Sequence, residues 1–258
     1  SGTLYVVGTP IGNLSDFSPR AVQTLREVDF IAAEDTRVTQ KLLSHFQIKK
    51  PMISYYQHNL RERGEEILAR IEAGENCAIV TDAGMPCISD PGEDLVGLCA
   101  ARDIPTVVIP GPSAAISALA VSGLPTSRFC FEGFLSTNRK NRMEHLHQIS
   151  GDQHTLIFYE APHKLIYTLQ DMLEVLGDRR IALCRELTKK HETGFETTLK
   201  EAVPYYEQNE PRGEYVLVLE GCSRQQMEQE AQDAWKEMSL GDHMKLYEEQ
   251  GMNRKDAM

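Results

Sequence analysis

Runs rich in Val and Ile alternate with segments of helical period over the first 120 residues. Short apolar runs near 4–8, 29–33, 52–56, 77–82 and 106–110 have the length and β-branched content of buried strands. Between them, apolar positions recurring every three or four residues predict helices near 18–27, 36–46, 61–73, 92–102 and 113–122. Such alternation with short links predicts an α/β layer on a mostly parallel sheet. In these sheets ligands bind beyond the carboxyl ends of the strands. The residues that follow each run therefore carry the interest: Gly8-Thr9-Pro10, Glu34-Asp35, Asp82-Ala83-Gly84 and Pro110-Gly111-Pro112.

After Gly123-Leu124-Pro125 the texture changes. "SRFCFEGFL", "TLIFYEA", "RRIALCREL", "HETGFETTL" and "YVLVLEG" read as strands, with helical patterns near 139–150 and 163–176. Several of these strands can pair as antiparallel neighbours, which predicts a second α/β domain on a mixed sheet. The expected division is 1–115, 116–221 and a polar helical tail at 222–258, with Trp235 as its anchor.

The strand ends exclude two familiar loops. A P-loop needs four residues between its glycines, then Lys and Ser or Thr. Here three residues separate Gly8 from Gly12, and Asn13 follows. The dinucleotide fingerprint also fails, although Glu34-Asp35 stands where a ribose-binding acid would. Pro10 offers no N–H to an anion. "TDAGMPCISDPG" (81–92) and "PGPSAAISAL" (110–119, with Ser113 as helix cap) can each be plain turns. Taken together, and with little lysine among them, they suit an adenosine-like cofactor that carries no phosphate.

Composition narrows the picture. The net charge of −11 argues against coating nucleic acid by bulk attraction, while leaving room for a local basic rim. Arg139-Lys140-Asn141-Arg142 and Lys189-Lys190-His191 are the tight basic clusters before the tail. The six cysteines are never two or three residues apart, so their spacing gives neither a zinc knuckle nor a redox pair. They read as reduced thiols of a cytoplasmic protein. No run approaches the roughly 18 apolar residues of a membrane span. Ser1-Gly2 reads as a tag remnant.

Seven segments, in order, carry a resemblance: "VGTPIGNLSD", "AEDTR", "TDAGMPCISDPG", "PGPSA", "FYEAPH", "RELTKKHE" and "GEYVLVLEG". Together they resemble the tetrapyrrole-methylase-type superfamily of S-adenosylmethionine methyltransferases, and within it the 16S ribosomal RNA (cytidine 2'-O-ribose) methyltransferases. Met85 and Ala161 depart from the usual Thr and Ser of that pattern. The resemblance implies two α/β domains with S-adenosylmethionine in the cleft between them, a homodimer, and 16S RNA in the assembled small subunit as partner. It implies cofactor contacts from Pro10, Asp82, Ala83, Gly84, Met85, Ile88, Ser113 and Ala114 in the first domain. The second would supply Phe158, Tyr159, Pro211, Gly213 and Glu214. The tail resembles the start of a helical extension, and is expected to be truncated.

Methyl transfer from a sulfonium needs no metal, because the electrophile brings its own charge. A ribose hydroxyl is a poor nucleophile, so a group must take its proton or stabilise the alkoxide. Glu34, Asp35 and Arg37 form one candidate set, and Glu186, Lys189 and Glu192 another. The first set can equally be a helix cap with an ion pair, and the lysines a solvated pair. A lysine there could hold an alkoxide or, with its pKa lowered by burial, act as base. Asn13 is the polar candidate of the opening turn, and Tyr55, Tyr56 and His58 could stack a base or belong to core and surface. Arg20, Arg37, Arg139, Lys140, Arg142, Lys189 and Lys190 are expected to gather on one rim as the phosphate-binding surface. Two rival readings remain open: a methyltransferase for a corrin-type ring or a protein side chain, and an RNA-binding protein that keeps the cleft without catalysis.

Overall fold

The computed structural model describes residues 1–223 and Glu228. The tail expected to be helical around Trp235 lies outside the described residues.

Five strands, β1 (Leu4–Val7), β2 (Phe30–Ala33), β3 (Met52–Ser54), β4 (Cys77–Val80) and β5 (Thr106–Ile109), form a wholly parallel sheet in the order β3-β2-β4-β1-β5. The intervening helices are α1 (Pro19–Glu27), α2 (Thr36–His45), α3 (Leu60–Glu72) and α4 (Gly92–Ala101). Every residue of β2 and β4 is buried, as a sheet covered on both faces requires. One apolar cluster lies beneath α3 and α4 and a second beneath α1 and α2.

A second sheet has the order β6-β7-β10-β8-β9, from β6 (Phe129–Phe134), β7 (Thr155–Glu160), β8 (Arg180–Arg185), β9 (Thr193–Thr198) and β10 (Tyr215–Leu219). β6 and β7 run parallel, while β7–β10, β10–β8 and β8–β9 are antiparallel. The expected parallel and mixed sheets are both present. Helix α5 (Ala114–Val121) packs through Ala115, Ala118 and Leu119 on one face of the second sheet, against Ile157, Ala182, Cys184, Val216 and Val218. On the other face lie α6 (Arg139–Gln148), α7 (Leu165–Leu176) and α8 (Leu199–Gln208), over Leu156, Phe158, Leu183, Leu217 and Leu219. No described helix is long and apolar enough to cross a membrane.

Helix α8 is the element that periodicity does not announce. Its sequence "LKEAVPYYEQ" holds Pro204 and two tyrosines, which are weak helix formers. Burial of Leu199, Ala202 and Tyr206 outweighs that preference, and Thr198 caps the first turn by accepting the Glu201 N–H at 3.3 Å.

Two sequence expectations are corrected by this layering. Strand alternation turns Phe158 away from α5 and into the fully buried core beneath α6–α8, so its side chain does not line the cleft on the opposite face. Arg142 is buried on α6: its guanidinium donates to Asp171 on α7 at 2.7 Å and to the carbonyls of Ser136 and Thr137. It pins two helices together instead of standing on an RNA-facing rim.

Phe158→Ala is expected to cost about 3–5 kcal/mol by leaving a core cavity. Arg142→Ala should cost up to ~3 kcal/mol, because it removes the buried partner of Asp171 and leaves that carboxylate to the more exposed Arg139 alone. Urea unfolding followed by circular dichroism reads both as lower midpoints.

Candidate active site

The carboxyl ends of the parallel strands meet the α5 face of the second sheet at a cleft of about 820 Å³. Its floor is built by three turns brought into backbone contact. A Cβ on Gly8 would lie 2.6 Å from Gly111 Cα, so the turns after β1 and β5 touch main chain to main chain. Thr9 and Gly84 exchange N–H···O bonds of 3.0 and 3.1 Å, which ties the turn after β4 to the same point. Met85 covers the junction, its sulfur accepting the Gly111 N–H at 3.2 Å. The glycine of the opening turn thus serves chain packing and not phosphate.

One wall is acidic. Glu34, at the end of β2, accepts the Thr81 hydroxyl at 3.0 Å. Burial raises its pKa above the ordinary carboxylate range against the pull of that hydrogen bond, and Asp82, Asp90 and Asp35 push the same way. Burial likewise raises Asp82 and Asp90. Asp90 accepts the N–H groups of Cys87 and Gly92, which fixes the loop carrying Ile88. Cys87 and Ser89 in this loop sit at φ 68° and 55°, sparsely populated for non-glycine residues and retained most often where a site needs the shape.

The facing wall comes from the second domain. Lys189 lies between Glu186 and Glu214, its ammonium 3.1 and 3.0 Å from their oxygens. Burial works to lower the lysine pKa, but hydrogen bonds to Glu214 and Glu186 outweigh it, and the net shift is upward. Glu186 moves down, held chiefly by the Glu214 backbone N–H at 2.9 Å and then by Lys189. The stem of Lys189 crosses Gly12, where a Cβ would come within 2.4 Å of its Cγ. The opening turn of one domain therefore seats the cation of the other.

Apolar groups complete the lining. Ile88 and Phe134 are each 62% exposed and Ile116 51%, high values for large apolar side chains grouped in one concavity. Phe129, Phe131 and Phe134 come from β6, where a register shift between Phe131 and Gly133 re-aims the end of the strand. The Tyr159 hydroxyl accepts the Ala115 N–H at 3.2 Å and joins α5 to this wall.

Of the residues singled out from sequence, Glu34, Asp82, Ala83, Gly84, Met85, Ile88, Ser113, Ala114, Tyr159, Glu186, Lys189 and Glu214 line the cleft. Asp35 does not: it caps α2, accepts the Arg37 N–H and pairs with its guanidinium at 2.9 Å, and those bonds pull its pKa down to about 2. Arg37 is 87% exposed on its side chain and committed to that pair. Pro10 is buried and outside the lining, and its neighbour Ile11 lines the cleft. Pro211 stands outside the lining, and Gly213 (φ 76°) acts indirectly, since a Cβ there would strike Glu186. Asn13 folds back to accept the Ser15 N–H of a short 3-10 turn. Arg139 pairs with Asp171 and Glu174. Lys140 and Lys190 are exposed outside the lining. Tyr55 is core, while Tyr56 is exposed against His58. The β6 aromatics, Ile11, Ile116 and Thr81 escape sequence inspection, and the spacing Phe129, Phe131, Phe134 is the trace they leave there.

Comparison with known proteins places this geometry. Residues 3–203 match the family described as Tetrapyrrole (Corrin/Porphyrin) Methylases. The "Ribosomal RNA small subunit methyltransferase I" of Synechocystis sp. is 48% identical over 257 residues, covering 99% of this chain and 90% of that protein. Its namesake in Thermotoga maritima is 48% identical over 220 residues, 85% of this chain and 99% of that protein. Among solved structures, uroporphyrin-III-C-methyltransferase from Thermus thermophilus superposes with TM-score 0.60 at 18% identity, over 84% of this chain and 94% of that one. Diphthine synthase gives 0.63 at 14% identity, over 85% and 90%. At that identity the likeness is one of fold. The chain belongs to the tetrapyrrole (corrin/porphyrin) methylase family.

Proposed function

We propose that this protein is an S-adenosylmethionine-dependent methyltransferase that modifies the 2'-hydroxyl of a cytidine in small-subunit ribosomal RNA. The observation that carries the donor half of this reading is the cleft itself. Its first-domain lips offer the carboxylates of Glu34, Asp82 and Asp90 beside apolar Ile11, Met85 and Ile88, with no Lys or Arg among the described residues that line that side. Such a surface fits a nucleoside sulfonium and repels a pyrophosphate. The acceptor half rests on relatives named ribosomal RNA small subunit methyltransferase I that align along nearly the whole chain.

When bound, S-adenosylmethionine supplies a methyl group activated by its own positive sulfur. Ile11, Met85, Ile88 and Ile116 would hold its apolar parts, and Asp82 its ribose hydroxyls. Glu34, half-buried and with its pKa raised, is placed to accept the proton of the ribose hydroxyl. Lys189 stays protonated between its carboxylates, so its part is to hold developing negative charge and not to act as base. Of the cations expected on the rim, Arg142 is withdrawn, while Lys140 and Lys190 are exposed and Arg20 is exposed with one bond to the Val108 carbonyl, so these three would make the phosphate contacts. A second copy of the chain would double that surface, and the exposed Val107 and Val108 on β5, the outermost strand of the described parallel sheet, would be its contact. The assembled small subunit, with its fixed RNA shape, suits an acidic enzyme better than free RNA does.

Calorimetric titration with S-adenosylmethionine should give a saturable isotherm. Incubation with unmodified small subunits and labelled donor should then place label on one ribose. Donor binding with no labelled RNA would move the acceptor to a tetrapyrrole or a protein side chain, and no donor binding would leave an RNA-binding protein.

Because Glu34 works only when ionised, single-turnover rates should fall as pH drops through a pKa above the ordinary 4.5. Glu34→Gln should abolish that limb and slow transfer by about 10²–10⁴-fold, with donor affinity retained.

Gly12→Ala forces Lys189 off its seat and strains a φ of 142°. The expected result is a loss of about 10²-fold in single-turnover rate with little change in donor binding, measured side by side in one preparation.

A further inference from the structure

Cys130, Asp152 and His154 converge on the side of the second sheet turned away from the cleft. Phe129 and Phe131 face the cleft, so alternation sends the intervening Cys130 to the opposite face, where it packs on the apolar cluster beneath α6–α8. Asp152 and His154 stand in the loop that leads from α6 into β7. A thiol sulfur, a carboxylate oxygen and an imidazole nitrogen, one from each residue, all lie within 4.8 Å of one another. Asp152 is the hub. Its Oδ2 accepts the Cys130 thiol at 3.5 Å, while Oδ1 accepts the His154 backbone N–H at 2.8 Å and lies 2.5 Å from His154 Nδ1.

The backbone holds these donors in place. The Cys222 N–H, just past β10, donates to the Asp152 carbonyl at 2.7 Å, and Thr155 begins β7 one residue after His154. The 3.5 Å between Cys130 Sγ and Asp152 Oδ2 already has the scale of a tetrahedral site, in which metal–sulfur bonds of about 2.3 Å and metal–nitrogen bonds of about 2.0 Å leave ligand atoms roughly 3.5 Å apart, and His154 Nδ1 would exchange its hydrogen bond to Asp152 for the ion. Sulfur and imidazole nitrogen beside a single carboxylate select a borderline-soft ion over magnesium or calcium.

The geometry points to a binding site for one divalent transition-metal ion, with zinc the fitting occupant, on Cys130 Sγ, the Asp152 carboxylate and His154 Nδ1, water taking the fourth position. Binding displaces the Cys130 proton to solvent and leaves the His154 proton on Nε2. The ion ties the start of β6 to the lead-in of β7 and, through the Cys222 contact, to the chain leaving β10. Its role is structural and separate from methyl transfer. Cysteine spacing alone does not show it, because one thiol recruits its partners across the fold.

The test uses the full chain, stripped with a chelator and titrated with cobalt(II). A thiolate-to-cobalt charge-transfer band saturating at one equivalent, bleached by zinc, is expected, together with a zinc-dependent rise in thermal midpoint. Cys130→Ser should abolish the band. His154→Ala, on a partly exposed side chain, should weaken binding more than about tenfold. His147→Ala, an exposed histidine on α6, should change neither readout. Absence of the band, its survival in Cys130→Ser, an unshifted midpoint with zinc, or equal loss in His147→Ala would each overturn the site.

Discussion

The contact between Gly8 and Gly111 sets the geometry of the cleft. Two turns from non-consecutive strands meet there with no side chain between them, a Cβ on either lying under 3 Å from the other's main chain. That approach lets Met85 close over the junction and lets Thr9 and Gly84 pair. Any side chain at either glycine would push the β5 turn outward. α5 starts at Ala114, five residues after Ile109, so the displacement would carry into the helix that joins the two sheets. A packing constraint at one strand end is thereby passed to the wall some distance across the cleft.

α5 has a double duty that follows from this position. Its Ala-rich face is narrow enough to lie close on Ile157, Ala182 and Val216, and its N-terminus, capped by Ser113 and bonded to Tyr159, forms one lip of the site. Ile116, on the exposed side, is left for whatever enters. The cleft is thus lined by groups whose backbones are fixed by sheet packing, while the strained loops at Cys87–Ser89 and Glu186–Thr188 carry the side chains that must reach across.

Much of this was legible in the chain. The βαβ rhythm of the first half marks its strands and helices because a parallel sheet buried on both faces leaves continuous apolar runs. The turns that follow the strands announce the cleft by their glycines and carboxylates. What stayed hidden is three-dimensional. Alternation says that Phe158 and Tyr159 point opposite ways, but which of them meets the cleft depends on where α5 docks, some 40 residues earlier. Arg142 reads as one of a basic run until Asp171, on another helix, claims it. Asp35 and Glu34 are adjacent acids, yet the start of α2 takes one as a cap and leaves the other facing the cleft.

The electrostatics of the cleft divide along the same line as the domains. The first domain brings carboxylates whose pKa values burial raises, and among its described residues that line the cleft there is no Lys or Arg. The second brings one lysine held by two glutamates, a cation tethered within its own anionic frame. A positively charged donor of the kind proposed above would relieve the mutual repulsion of these carboxylates. A hydroxyl arriving between the walls would meet a carboxylate whose pKa burial raises on one side and an ammonium whose pKa pairing raises on the other. Under the function proposed above, these two shifts assign proton removal to Glu34 and charge holding to Lys189, and they arise because burial dominates one wall and pairing the other.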